Sequence, residues 1–329
     1  EIQGKNIRSL SSDPSPVAAG DMWYNSTTQL LKGRVFQTAA WVSGGNLNTA
    51  RSQLKGCGTK TAMLVAGGAS STASEQYDGS SWTTTPNLSG PPVEAASVVG
   101  TTSAALAAAG YNNNPPVGPT NGTQYWNGSS WSTQSGTLIV AGYAKGQAGT
   151  QTAAIVWGGA YPGPNTTPAT ESWNGSSWTA GNVLGSAMYY SGSAGVQTAA
   201  LAFGGNFPTL PGTSPGRKVV QSWDGTSWTD SPSSINNYRA GTMSGGIQTA
   251  AFLTGGDSPT GSKVSETEEY DGSSWSISPA SLATARATGA GAGVSNISGI
   301  VAGGNTPSNS NATEEFTGAA FVTKTFTTS

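Results

Sequence analysis

Thr198-Ala199-Ala200-Leu201-Ala202-Phe203-Gly204-Gly205, followed in the same segment by Trp223-Asp224-Gly225-Thr226-Ser227-Trp228, is the stretch whose reading decides the fold. The first part is a short run of small apolar residues closed by paired glycines. It reads as a strand buried on both faces, where neighbouring sheets stack too closely for large side chains. The second part sets Asp-Gly directly after an aromatic. That dipeptide tolerates positive φ and is the strongest short-range signal of a tight β-hairpin.

Both parts recur. A six-residue unit running from one aromatic to another begins at Phe36, Tyr77, Trp126, Trp173, Trp223, Tyr270 and Phe316 and ends at Trp41, Trp82, Trp131, Trp178, Trp228, Trp275 and Phe321. Successive copies start 41 to 50 residues apart, a period that belongs to the blades of a β-propeller. Five of them carry Asp-Gly or Asn-Gly, at Asp78, Asn127, Asn174, Asp224 and Asp271. Paired glycines precede the hairpins at Gly67-Gly68, Gly158-Gly159, Gly204-Gly205, Gly255-Gly256 and Gly303-Gly304, with a degenerate copy at Ala109-Gly110.

Composition agrees with an ordered, uncharged scaffold. Of 329 residues only 9% are charged, yet eleven Trp, ten Tyr and seven Phe are spread along the chain, and disordered segments are poor in aromatics. The net charge of −2 and the scattered basic residues lack the footprint of a nucleic-acid binder. Apolar runs such as 104–109 fall far below the roughly 20 residues that span a bilayer. Cys57 is the single cysteine, so no intramolecular disulfide exists. The chain opens on Glu1 rather than Met, as expected of a processed or trimmed terminus.

The repeats resemble the kelch family on three features in phase. These are the paired glycines, the aromatic-Asp hairpin ending in Trp, and a basic residue in the connection to the next blade, held by Arg51, Arg239 and Arg286. The resemblance implies four-stranded antiparallel blades around an axis. Seven hairpin units against six glycine-paired strands leave the first blade short. Met22-Trp23-Tyr24-Asn25 and Leu30-Leu31-Lys32-Gly33-Arg34-Val35 read as two paired strands that complete it, giving seven blades over 21–329; six blades plus an N-terminal hairpin used for attachment is the alternative. Residues 1–20, with Asp13-Pro14-Ser15-Pro16, read as an extended lead-in suited to embracing a neighbouring subunit.

Chemistry is sparse. The chain contains no histidine, which removes Ser-His-Asp triads, Cys-His dyads and imidazole-based zinc or copper sites. No enzyme activity, metal or cofactor is expected. Glu75, Gln124, Glu171, Gln221, Glu268 and Glu314 recur two residues before the hairpin aromatic and read as buried polar groups bonded to backbone between blades. In an antiparallel blade the Asp-Gly hairpins occupy one face and the loops after the paired glycines occupy the other. Those loops, 111–123, 160–170, 206–219 and 257–267, vary most, and variable loops on a rigid scaffold commonly carry binding residues. Tyr111, Tyr161, Phe207 and Leu210 are the candidates there, either for stacking on sugar rings or for folding back over the blade tops.

Gly20-Asp21-Met22-Trp23-Tyr24-Asn25-Ser26-Thr27 and Gly44-Gly45-Asn46-Leu47-Asn48-Thr49-Ala50-Arg51 resemble segments of tail-fibre and other virion proteins of marine bacteriophages. That resemblance implies an extracellular particle component, with other virion proteins, further copies of itself and a host-surface glycan as partners. A purely structural module and a secreted bacterial adhesin are the competing readings.

Overall fold

The computed structural model describes residues 7–90, 93–161, 165–206 and 218–326. Six four-stranded antiparallel blades form its body. Their innermost strands are Lys55–Thr59, Ser97–Gly100, Gly146–Gly149, Gly192–Val196, Met243–Ile247 and Ala290–Ser295. Each packs against the next, and the innermost strand of blade six packs against that of blade one, closing a ring. Outward from these lie the strands ending at the paired glycines, such as Ala154–Trp157 and Ala199–Phe203, every residue of the first buried. Third strands carry the first hairpin aromatic, as in Thr170–Trp173, and outermost strands open on the second, as in Trp178–Gly181.

The expected propeller is present, but its blade count is six and not the favoured seven. The first and last aromatic units are not separate hairpins. Blade six takes Thr313–Thr317 as its third strand and Ala40–Ser43, from the other end of the chain, as its outermost, with Phe316 opposite Trp41 and Thr317 opposite Ala40. The units at 36–41 and 316–321 are therefore the two halves of one split hairpin. Beyond it the same pairing runs on, Phe36 opposite Phe321, into a seventh sheet outside the ring. Met22–Asn25 and Leu30–Gln37 pair as the sequence suggests, but within this terminal sheet, between Arg8–Leu10 on one edge and Ala320–Phe326 on the other. The lead-in, from residue 7, lies against this hairpin: Arg8–Leu10 pairs in parallel with it, and Asp13 accepts from Trp23 Nε1 at 3.0 Å, Asn25 Nδ2 at 2.8 Å and Lys32 Nζ.

Every blade holds the same aromatic pair, tilted at 30–45°. Centroid separations run from 4.9 Å for Trp41 and Phe316, through 5.1 Å for Tyr77 with Trp82 and for Tyr270 with Trp275, to 5.4 Å for Trp126 with Trp131 and Trp223 with Trp228. Trp173 and Trp178 stand at 5.3 Å. Such pairs add about 0.5–1.5 kcal/mol beyond the apolar area they bury. The second tryptophan also ties its blade to the previous one. Trp82 Nε1 donates to Thr313 Oγ1 at 2.9 Å, Trp178 to Thr123 at 2.9 Å, Trp228 to Thr170 at 2.8 Å and Trp41 to Thr267 at 2.8 Å. At the matching positions blade one has Ser74, whose hydroxyl donates to Val65 O, and blade four has Val220; among the described residues the buried Nε1 atoms of Trp131 and Trp275 find no partner.

The paired glycines make the blade-to-blade joint. The second one donates its N–H to a carbonyl in the connection entering the next blade: Gly68 to Val93, Gly110 to Gly142, Gly159 to Met188, Gly205 to Arg239, Gly256 to Arg286 and Gly304 to Arg51, at 2.8–3.2 Å. The first one lets that carbonyl approach. A Cβ on Gly158, at φ +63°, would lie 2.3 Å from the Met188 oxygen, which no packed structure accommodates. In blade two Ala109 holds the same conformation at φ +62°.

Five of the six recurrent Glu and Gln residues clasp the connection that leads into their own blade, whereas Gln221 instead donates to Asp230 Oδ1 on the outermost strand of its own blade, contrary to the expected backbone bond. Glu75 accepts from Asn48 N at 2.7 Å and Arg51 Nη2 at 2.7 Å, Glu171 from Ile139 N and Val140 N, Glu268 from Asn236 N and Arg239, and Glu314 from Ala283 N and Arg286. Gln124 does so with both amide atoms on Ser89. Arg51, Arg239 and Arg286 are almost wholly buried. Blade three has no arginine there. Lys145, three residues further along the connection, turns back to donate to Gly158 O at 3.1 Å.

Two outcomes follow from these joints. Val220→Thr supplies the hydroxyl that Trp275 lacks and raises the melting temperature, by about 2 °C for one hydrogen bond of roughly 1 kcal/mol in a chain of this size; calorimetry of the variant checks it. In the hairpin turns, Asp78 and Asp271 accept backbone N–H bonds from the two serines that follow, which hold both carboxyls at about 2, and Asp224 is lowered by the same cause. A depressed folded pKa means stabilisation that is present above about pH 4 and lost as pH falls toward 2. Asn127 and Asn174 make the same turn without a titrating group, so a D78N/D224N/D271N variant loses less stability than the parent across that interval in thermal melts.

Candidate functional site

The long loops and the connections into each blade share one face, and around its axis they build two concentric rings. The inner ring is Gln53, Ala95, Ala144, Tyr190, Gly241 and Thr288, one per blade, all left-handed at φ +48° to +62°. For a residue with a Cβ that conformation costs about 1–2 kcal/mol. What holds it is a chain of backbone bonds around the axis: Ala95 N to Gln53 O at 2.7 Å, then Ala144 to Ala95, Tyr190 to Ala144, Gly241 to Tyr190 and Thr288 to Gly241, at 2.7–3.0 Å. Non-glycine residues held at positive φ cluster at functional sites.

The outer ring pairs the residue before each of these with the residue after the paired glycines. Glu94 opposes Tyr111, Tyr143 opposes Ala160, Tyr189 opposes Asn206, Ala240 opposes Asp257 and Ala287 opposes Asn305. These positions are fixed in backbone and free in side chain. Tyrosines gather on one side of them. Tyr111 meets Tyr143 edge-on at 5.1 Å, and Tyr189 lies 5.5 Å from Tyr190. Tyr190 reaches across the axis from blade four to the opposite blade one, its hydroxyl donating to Gln53 Oε1 at 2.9 Å.

The cluster is electrostatically coupled. Burial, then the Tyr189 and Tyr111 phenols and the Glu94 carboxylate, push Tyr143 above the ordinary phenol range. Burial, then Tyr143, Glu94, Tyr189 and Asp257, push Tyr190 up as well. Both are neutral hydroxyls at physiological pH. Glu94 accepts from Asn113 Nδ2, and Asp257 is paired with Lys263. The mouth thus offers flat aromatic faces, neutral hydroxyls and two carboxylate acceptors at half-buried positions, a combination suited to a polyhydroxylated ligand. Among the described residues no group of three His, Cys, Asp or Glu stands close enough to hold a metal ion.

Of the residues singled out from sequence, Tyr111 lies in this cluster. Tyr161 is half-buried in the loop between the second and third strands of blade three, its N–H bonded to Asn165 O at 2.9 Å. Phe207 and Leu210 lie outside the described residues. Tyr143, Tyr189 and Tyr190 escaped the sequence reading. Their signal was positional: 143 and 189 stand 46 residues apart at one offset ahead of an innermost strand.

No family profile and no curated sequence matches this chain. Among solved structures it is similar to one described as the structure of YjhT, with a TM-score of 0.68 and 14% identity over 86% of this chain and 99% of that one. At that identity the likeness is one of fold alone, an all-β propeller.

Tyr190→Phe removes the cross-axis bond and lowers stability by about 1 kcal/mol, whereas Tyr111→Phe, whose hydroxyl has no partner among the described residues, leaves the melting temperature unchanged. Parallel thermal melts of the two variants distinguish a structural tyrosine from an available one.

Proposed function

We propose that this chain is a non-enzymatic display module of a bacteriophage virion, a tail-fibre or decoration protein with a kelch-like propeller, whose long-loop face binds a neutral glycan on the host surface. The observation that carries this reading is bipolarity. In blades one to five the third and outermost strands join through an Asp-Gly or Asn-Gly turn. In blade six the chain instead leaves that same end, from Thr317 to Ala320 and from Gln37 to Ala40, into the terminal sheet. The terminal sheet therefore springs from the hairpin face, and the tyrosine mouth opens on the opposite one. One end suits anchoring, the other display.

Further support comes from the sequence. It has no imidazole for acid-base or metal chemistry, and the segments at 20–27 and 44–51 resemble phage virion proteins. The carboxylates at the mouth disfavour anionic sugars, which points to neutral hexoses or amino sugars. A second reading, an assembly module without a receptor, draws on the terminal sheet, where Phe36 and Phe321 stack edge to edge at 5.2 Å yet remain 57% and 44% exposed.

A glycan array and whole-cell binding with the intact protein test the first reading. Binding to neutral glycans is expected, with Tyr111→Ala, Tyr143→Ala and Tyr189→Ala each weakening it by roughly twofold to tenfold, the range a single aromatic contact supplies. Binding to no glycan and no cell would leave the assembly reading in its place.

A further inference from the structure

The central channel is walled by the six innermost strands, and its lining is almost entirely backbone and small side chains. Its volume is about 130 Å³, room for a few water molecules or one small ion. Two stretches of the wall have their inward-facing backbone groups already satisfied. Gln147 Oε1 accepts from Val98 N at 2.7 Å while its Nε2 donates to Val98 O at 2.6 Å, and Ser244 Oγ bridges Ser193 N and O at 3.0 Å each. On the long-loop side, the bond between Tyr190 and Gln53 crosses the axis.

One charged side chain lines this channel, that of Lys55. It occupies the register position opposite the residue that precedes the paired glycines. The other five blades put Ser97, Gly146, Gly192, Met243 and Ala290 there. A lysine is thus no requirement of the blade. Among the described residues its ammonium has no hydrogen bond and no ion pair, whereas the buried Arg51, Arg239 and Arg286 all face carboxylates. Removal from bulk water pushes it down to about 8. Lys55 is half-buried, and in a confined channel that holds no other charged group the attraction of an unpaired ammonium for a counter-charge is stronger than in bulk water.

We propose that the channel is an anion site, in which a chloride-sized inorganic anion is held at Lys55 Nζ. The volume admits such an ion with its residual water and excludes a sugar or a peptide. The site is independent of whatever the long-loop face binds, since Lys55 lies inside the ring and the tyrosines lie on its surface. The bound ion neutralises the ammonium and thereby stabilises the closed ring.

Bromide is the probe. Crystals of the intact chain soaked in sodium bromide are expected to give an anomalous peak in the channel within contact distance of Lys55 Nζ, absent from Lys55→Met crystals. In solution, the parent's melting temperature is expected to rise saturably with bromide against sodium gluconate at equal ionic strength, and that of Lys55→Met to stay flat. If the methionine variant fails to fold, Lys55→Gln serves in both arms. A parent channel without a bromide peak beside Lys55, or a peak that persists when the ammonium is gone, overturns the proposal.

Discussion

A ring of blades has to be fastened, and here a single added strand does it. Ala40–Ser43 and Thr313–Thr317 are some 270 residues apart in sequence, so bringing them together costs about 5 kcal/mol of loop-closure entropy. Against that stand a four-residue ladder, the stacked pair of Trp41 and Phe316, the edge contact of Trp41 with Phe252 and the indole bond to Thr267 in the neighbouring blade. Remove the fastening and blade six loses its outer strand, together with the indole bond that ties it to blade five. Every other joint in the ring presupposes it.

The remaining joints are repetitions of one solution with local substitutions. Glycine-to-carbonyl bonds occur at all six seams. Arginine clasps serve blades one, five and six, and Lys145 serves blade three by reaching back from a later position. Because these joints consume the backbone's hydrogen-bonding groups, the side chains at the axial mouth are released from structural duty, Tyr190 with its bond to Gln53 excepted. That is why tyrosines, carboxylates and amides accumulate there, where the chain enters each blade, and why their identities differ from blade to blade although the backbone does not.

Much of this was legible in the sequence. The spacing of Gly204-Gly205 and Trp223-Asp224-Gly225, repeated with its neighbours, specified the blades, their strand order and their two faces. The count went astray because Phe36 and Phe321 extend the ladder past Trp41 and Phe316, so that each half of the split hairpin mimics a whole one. Nothing local distinguishes a strand that turns back on itself from one that meets a distant partner. The site was half visible. Tyr111 follows the degenerate Ala109-Gly110 copy of the glycine pair and could be placed on a loop, whereas Tyr143, Tyr189 and Tyr190 depend on a left-handed backbone held by bonds between blades, which no short window of residues encodes. The clasp made by Lys145 was hidden for the same reason, since its reach is a matter of three-dimensional direction.

The split hairpin also governs how the molecule would bear load. Leu31 lies opposite Phe326 and Gln37 opposite Ala320, so the two strands that leave the ring, Leu30–Gln37 and Ala320–Phe326, run side by side away from it. A pull exerted between the loop face and the far edge of this sheet runs lengthwise down a pair of covalent strands side by side. Their cross-links are neither sheared nor unzipped, and tension divides between two backbones. Separating the two strands from one another at that far edge would do the opposite, opening the ladder rung by rung from Phe326 toward Trp41. The same neck is a strong tether in one direction and a zip fastener in the other.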